Sequence, residues 1–450
     1  MTPLPPDLST LLAQVGPAVV GDRIRAARRD ARLSLDDVAR STGLGVALLD
    51  DLEHGRLLPD LDVLTRTAAA TGTTADVLVT GLSGDLATHL RGGLDLAGLG
   101  LSTHHSGTAL ATADDVLDQL ATTGATAPHL ERAARRLRAT AREAAGDLTG
   151  AIADLTDLTA VPVAELGWVQ DLISLSRCHR NAGHLDRAIA TGEDARATIR
   201  DLGLATTDEA FQLTITVAAA YLGRGDLGHA TRICKRAADE AAQLGLHLAR
   251  ASALWNRSLA LLEDGYAEAA LTDALEAHAY FAAQGDTRNL GRLRIQIATT
   301  RLALDPPDAL GALEILAVAR DDIDWSTAGA VDLAGHRLIT AHALHLLGDD
   351  ERATDVLAES EAAAPPDTAP GLHAWQRALR GRIRAARGDL TGARRHFQDA
   401  VALLESIGSP ADAGQLCYEL GDLLLAADEP EQAIDAYRRA YELRGIRGRS

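Results

Sequence analysis

Aromatic residues make up only 3% of the 450 residues, and the chain has one methionine, one lysine and three cysteines. With so few aromatics, the 46% of hydrophobic residues consists largely of Ala and Leu, which suits close-packed helices better than sheets. Lys235 as the single lysine leaves Lys-dependent phosphate or Schiff-base chemistry almost without a candidate. Cys178, Cys234 and Cys417 lie far apart and form no Cys-x-x-Cys pair, which argues against a zinc site or a disulfide framework and fits a reducing cytoplasm. No run of about 18 apolar residues occurs, and the N-terminus lacks the basic and apolar regions of a signal peptide. The expectation is a soluble cytoplasmic protein that does not contact a membrane. No Gly-x-x-x-x-Gly-Lys loop, His-Glu-x-x-His helix or Gly-x-Ser-x-Gly elbow is present, so no enzyme, catalytic residue, metal or cofactor is expected.

Cations are also scarce: 44 basic against 63 acidic residues give a net charge of -19. That sign opposes general attraction to nucleic acid, so any DNA contact must rest on a local basic patch. At this length the chain calls for several domains or a repeat array that needs no single core.

From Gly21 the sequence reads as five short helices separated by Gly or Ser/Thr stops. Ile24, Ala27 and Ala31 share one face of the first. Ser34 caps "LDDVARS", with Asp37 three residues on as an acidic capping box. Gly43 suits the turn before "GVALLDDLEHG", whose Leu49 and Leu52 point inward. "LDVLTRTAAATG" and "TADVLVTG" follow, each ended by Gly.

This order, with Arg28, Ser34, Ala39, Gly43, Leu49, Glu53, Gly55, Pro59, Leu64 and Gly72 as landmarks, resembles the Cro/repressor-type (xenobiotic-response-element, XRE) helix-turn-helix family over residues 19–81. The resemblance implies a dimeric DNA-binding transcriptional regulator with the third helix in the major groove. It also implies an internal ion pair between Arg28 and Glu53, read as structural. The chain departs from the family in its reading residues: Gly45, Val46, Ala47, Leu48, Asp50 and Asp51 include no Arg, Lys, Asn or Gln for bidentate base recognition. Val46 and Ala47 suit a thymine methyl, and Asp51 suits cytosine N4.

The favourable feature is a stripe on the first helix, where Arg25, Arg28, Arg29 and Arg32 recur at i, i+3, i+4 and i+7. Candidate DNA contacts are therefore Arg25, Arg29, Arg32, Ser34, Val46, Ala47 and Asp51. Eight arginines from Arg23 to Arg66 against ten acids from Asp22 to Asp76 leave this segment near -2. A solvated helix face explains the stripe equally well, and Val46, Ala47 and Leu48 also suit a protein partner.

Residues 82–130, rich in Gly, Thr and Ser, read as a linker with short helices at most. His104 and His105 read as a solvent-exposed pair. Beyond residue 131 a phrase recurs: "GDLTGA", "GHLDRA", "GDLGHA", "DGYAEA", "GDDERA", "GDLTGA" and "DEPEQA" end in Ala151, Ala188, Ala230, Ala269, Ala353, Ala393 and Ala433. A degenerate copy lies near Ala309 or Ala312. Neighbouring anchors are 37 to 42 residues apart, a solenoid period. Twelve residues before each Ala stands Ala139, Ser176, Ala218, Arg257, Ala341, Gly381 or Gly421. Arg257 breaks the small-residue rule, which points to a register one residue off in that copy. Phe397 and Tyr437 stand four residues after their anchors.

These residues resemble the tetratricopeptide repeat over residues 131–445 in about eight copies, so the expected fold is all-α: a helix-turn-helix domain followed by an α-solenoid. Counting from the anchors, the groove side of the first helices would hold Arg136, Gln170, Arg177, Arg180, Asn181, Gln212, His342, His345, Trp375, Arg382, Gln415 and Asp422. The arginines among them suit carboxylates of a peptide or acidic protein segment. The whole architecture is similar to peptide-sensing regulators of Gram-positive bacteria. This resemblance implies a homodimer whose array senses a peptide or protein ligand and controls the geometry of two DNA-binding heads. The alternative is an interaction or scaffold protein whose degenerate helix-turn-helix and solenoid bind protein partners without DNA.

Overall fold

The computed structural model describes residues 8–101, 106–284, 287–325, 330–364 and 369–443. Twenty-four α-helices and no strand occur among the described residues, as the all-α reading requires. They divide into two compact units, Met1–Val163 and Ala164–Ser450.

The first unit opens with α1 (Leu8–Gln14), α2 (Pro17–Asp30), α3 (Leu35–Thr42), α4 (Val46–Glu53), α5 (Leu61–Thr71) and α6 (Ala75–Thr80). The five helices read from the pattern are α2 to α6. Helix α1 is additional: its Leu11 and Leu12, with Val15, share a core with Val20, Ile24, Leu52, Leu64 and Leu78, so this body begins before residue 19. The capping box at Ser34 is formed. The Asp37 amide donates to Ser34 Oγ at 3.1 Å, and the Ser34 amide donates to the Asp37 carboxylate at 2.9 Å. Gly43 ends α3 at φ 70°, a left-handed conformation. Gly21 is required by close approach, because a Cβ there would strike the Leu52 carbonyl oxygen and lie 3.0 Å from the Gly55 nitrogen.

Residues 82–130 are not a linker. They hold α7 (Gly84–Leu101) and α8 (Ser106–Thr122), followed by α9 (Pro128–Ala144) and α10 (Leu148–Thr159). Leu90 and Leu94 of α7, Ala109, Ala113, Val116 and Leu120 of α8, and Leu130, Ala134 and Leu137 of α9 form one core. Gly costs about 1 kcal/mol per helix position relative to Ala, but the apolar stripe of α8 recurs at helical spacing and buries against two neighbours. Tertiary burial overrides local composition here. The His104–His105 pair lies outside the described residues. Arg23 of α2 fastens the helix-turn-helix part to this bundle: its guanidinium donates to the Val79 carbonyl, to Gly124 O at 2.8 Å and to Thr126 Oγ1 at 2.9 Å. The Thr126 amide adds a 2.7 Å bond to Thr80 O.

The second unit is a row of seven helix pairs: α11 (Leu166–Asn181) with α12 (Leu185–Asp201), α13 (Asp208–Gly223) with α14 (Leu227–Leu244), α15 (His247–Glu263) with α16 (Ala267–Gln284), and α17 (Thr287–Leu302) with α18 (Ala309–Trp325). Then come α19 (Ala330–Leu346) with α20 (Asp350–Ala363), α21 (Pro370–Ala386) with α22 (Leu390–Ser406), and α23 (Pro410–Ala426) with α24 (Pro430–Leu443). One further pair, α9 with α10, belongs to the first unit. Anchor alanines and their small partners are buried, and Ser176 Oγ donates to Ala188 O at 2.8 Å across one such contact. The irregular copy is indeed shifted by one: Ala270 and Ser258 are fully buried, whereas Ala269 is exposed. In the degenerate copy Ala312 and Thr300 take these places, both fully buried. At Gly381 a Cβ would stand 2.9 Å from the Phe397 ring, so the aromatic four after the anchor requires glycine opposite it.

Candidate functional site

The first candidate surface is the helix-turn-helix face. Leu49 and Leu52 anchor α4 inward, leaving Val46 and Ala47 exposed at its start. Glu53, 4% exposed, receives Arg28 on both oxygens, at 2.5 and 2.7 Å. This hydrogen-bonded pairing raises the Arg28 pKa above its ordinary value. The arginine stripe is divided by the same pairing. Arg25 donates to Asp22 at 3.1 Å and to the Glu53 carbonyl, so it is committed internally with Arg28. Arg29 and Arg32 remain exposed, their guanidinium groups without a hydrogen-bond or ion-pair partner among the described residues. Arg32 lies past the end of α2 at φ 56°, which takes it off the helical stripe. Ser34 spends its hydroxyl on the α3 cap.

The two acids of α4 are not bare. Arg56, just beyond the helix, donates to Asp51 at 2.6 Å and to Asp50 at 3.3 Å. The pair pattern of an α-helix does not extend past its end, so sequence spacing offered no signal for Arg56.

The second candidate surface lies on the first helices of the second unit. Arg180 and Gln212 share a hollow of 330 Å³ with Thr216, Ser252, Trp255, Asn256, Phe281 and Asn289. Gln212 donates to Ser252 Oγ at 3.0 Å, linking α13 to α15. Trp255 meets Phe281 edge-on with centroids 5.8 Å apart. Ser252, Trp255, Asn256 and Asn289 were missed from sequence. Counting from Ala270 instead of Ala269 would have found Ser252 in line with Gln170 and Gln212, each six residues before the small residue. The hollow joins apolar surface with amide groups that both donate and accept, the combination that holds an extended peptide backbone.

The remaining predicted groove residues do not join that hollow. Gln170 donates to Glu209 at 3.3 Å, Arg177 to Ser174 at 3.3 Å, and Asn181 accepts from Arg180 at 3.4 Å. His345 and Arg382 line a separate hollow of 490 Å³. There His345 lies 2.6 Å from Asp350, and Arg382 donates twice to Glu419, at 2.7 and 3.0 Å. Arg382 is thus satisfied within the chain. Trp375 packs between two core clusters, Gln415 is on α23, and Asp422 accepts from the Tyr437 hydroxyl at 2.6 Å. Arg136 belongs to α9 of the first unit.

Burial, with Arg382 and His345 adding, pushes His342 down to about 3. An unfolded histidine titrates near 6.5, so between these values the unfolded chain binds the extra proton. Stability conferred by the neutral ring is complete above pH ~6.5 and is lost as pH falls toward 3. A urea midpoint that falls between pH 7 and 5, and falls less in His342→Asn, is the expected result; equal slopes would contradict it.

No group of His, Cys, Asp and Glu able to hold a metal ion occurs among the described residues. Cys178, Cys234 and Cys417 are buried and form no disulfide among the described residues, and burial pushes the Cys234 thiol to about 12 and that of Cys417 to about 11. No described helix is long and apolar enough to cross a membrane.

Residues 19–79 match the family described as helix-turn-helix domain. No curated protein matches the chain. Among solved structures it is similar to a Rap protein complexed with Competence and Sporulation Factor, at 14% identity, 80% coverage of this chain, 98% of that chain and a TM-score of 0.57. It is also similar to aspartyl phosphate phosphatase F from Bacillus subtilis, at 10% identity, with 79% and 94% of the two chains covered and a TM-score of 0.51. At these identities the likeness is one of fold: helical repeats, here behind a helix-turn-helix domain.

Proposed function

We propose that this chain is a cytoplasmic, non-enzymatic, XRE-type DNA-binding transcriptional regulator, acting as a homodimer, whose repeat array binds a peptide. The observation that carries the ligand reading is the hollow that sets Asn256, Asn289, Gln212 and Arg180 around Trp255 and Phe281. In this reading residues 19–81 are the DNA head, α7 and α8 its support, and residues 131–445 the sensing array. A peptide acts by preferring one conformation of the array, since equal affinity for two conformations shifts neither. The matched helix-turn-helix domain supports the DNA reading, and so does Arg56, which offsets the two acids on α4.

The test is selection of bound duplexes from a random pool by the full chain, at low and moderate salt. An enriched motif with a steep salt dependence is expected. A protein-only scaffold is the second reading, favoured by exposed Val46 and Ala47 and by the lack of any base-reading cation or amide on α4. Absence of binding even at low salt would select it. Changing Asp50 and Asp51 to Asn removes two negative charges and releases Arg56 toward phosphate. A several-fold gain in duplex affinity and a salt slope steeper by about one are expected in a mobility-shift titration. Unchanged binding would place α4 away from the DNA.

A further inference from the structure

On the second helices, the sixth residue after the anchor alanine is an acid in most repeats: Asp157, Asp194, Glu276, Glu359 and Asp399. Several of these acids hold an arginine of the preceding first helix, as in Arg135–Asp157 and Arg377–Asp399, both at 3.0 Å. Two repeats reverse the sign, with Arg236 on α14 and Arg439 on α24. At Arg439 the chain supplies the missing acid from the preceding second helix: Glu405, twelve residues after its own anchor, forms the ion pair. The residue equivalent to Glu405 beside Arg236 is Arg200. The carboxylate that meets Arg439 is thus replaced beside Arg236 by a second cation.

These arginines border a cleft of 300 Å³ between α12 and α14. Arg196, one turn before Arg200, adds a third charge. The guanidinium groups of Arg196 and Arg200 have no hydrogen-bond or ion-pair partner among the described residues, and that of Arg236 reaches only Glu240, which also lines the cleft, at 3.9 Å. Like charges at i, i+4 destabilise a helix slightly, and here they do so in a chain of net charge -19. The floor is apolar, with Ile199, Phe211 and Val217. Gly192 deepens it, since a Cβ there would collide with the Val217 methyl.

We propose that this cleft binds an acidic protein segment in which an Asp or Glu stands beside an aliphatic residue. Arg200 and Arg236 hold the carboxylate where Glu405 stands in the C-terminal repeat, and the aliphatic chain lies on Ile199, Phe211 and Val217. An exposed ion pair alone contributes little, so the apolar floor is needed for binding. The site is separate from the Asn256 hollow, which lies on the first helices and takes peptide backbone.

The test is fluorescence anisotropy of the full chain with a short labelled peptide of alternating Leu and Glu. Its Leu/Gln counterpart and inorganic phosphate serve as controls. The Glu peptide binds, the Gln peptide binds about tenfold more weakly (1.4 kcal/mol), and phosphate at equal concentration does not displace it. Arg200→Glu, which rebuilds the pair seen at Arg439, abolishes binding without lowering Tm. Arg200→Gln weakens binding in the same direction, and Asn256→Ala leaves it unchanged. No binding, equal binding of the two peptides, displacement by phosphate, or undiminished binding to both Arg200 variants would each overturn the proposal.

Discussion

Glu53→Ala is expected to unfold the helix-turn-helix head while the repeats stay helical. Glu53 is almost wholly buried and accepts both arms of the Arg28 guanidinium, and Arg25 stands 3.9 Å from the same carboxylate. Arg28 also donates to the Leu33 carbonyl at 3.0 Å, which sets the chain leaving α2. Removing one partner of a buried pair leaves an uncompensated charge, at a cost of about 3–5 kcal/mol. That approaches the whole net stability of a small domain, about 5 kcal/mol at the low end. Rapid proteolysis within residues 19–81, with most of the far-UV helix signal retained, is the expected readout. Glu53→Gln should lose less, because one hydrogen bond survives. If Glu53→Ala resists protease like the parent chain, the pair does not hold the head together.

Asp273→Ala should have an effect of similar size on the array. Asp273 is 4% exposed and accepts Arg257 through two bonds of 2.5 Å, joining α15 to α16 beside Trp255 and Asn256. Loss of the carboxylate strands the guanidinium, again at about 3–5 kcal/mol. Neighbouring repeats stabilise one another, so a local loss spreads along a solenoid. Cys234 offers a local reporter, since its thiol is buried near Arg257 and Asp273. A thiol reagent should modify it many times faster in Asp273→Ala than in the parent chain, with a lowered urea midpoint. An unchanged modification rate would show that the pair is dispensable.

The same two pairs show how much of the chain was legible beforehand. Arg28 and Glu53 were readable as partners only through a family resemblance, because 25 residues and two turns separate them. Arg257 stands out as an exception to the small-residue rule, but the sequence does not show that it pairs with Asp273, sixteen residues on. Local signals were reliable: the Ser34 and Asp37 capping box, the left-handed Gly43 and the buried alanine anchors all depend on residues within a few positions. Composition misled at residues 82–130, where Gly and Thr suggested a linker but Ala109, Ala113 and Val116 pack at helical spacing against α7 and α9.

The sequence by itself determined the helices of the head from α2 to α6, most of those beyond residue 131 and the contacts where only a small side chain fits, since these follow from short-range periodicity and steric exclusion. Only the tertiary structure decided which charges meet. Arg25 turns to Glu53 instead of outward, Arg23 crosses to Thr126, Arg56 covers Asp51, and Arg200 faces Arg236 across a cleft. A guanidinium on a long, flexible stem has acids or carbonyls from several helices within reach. Which one it takes is set by how those helices come together.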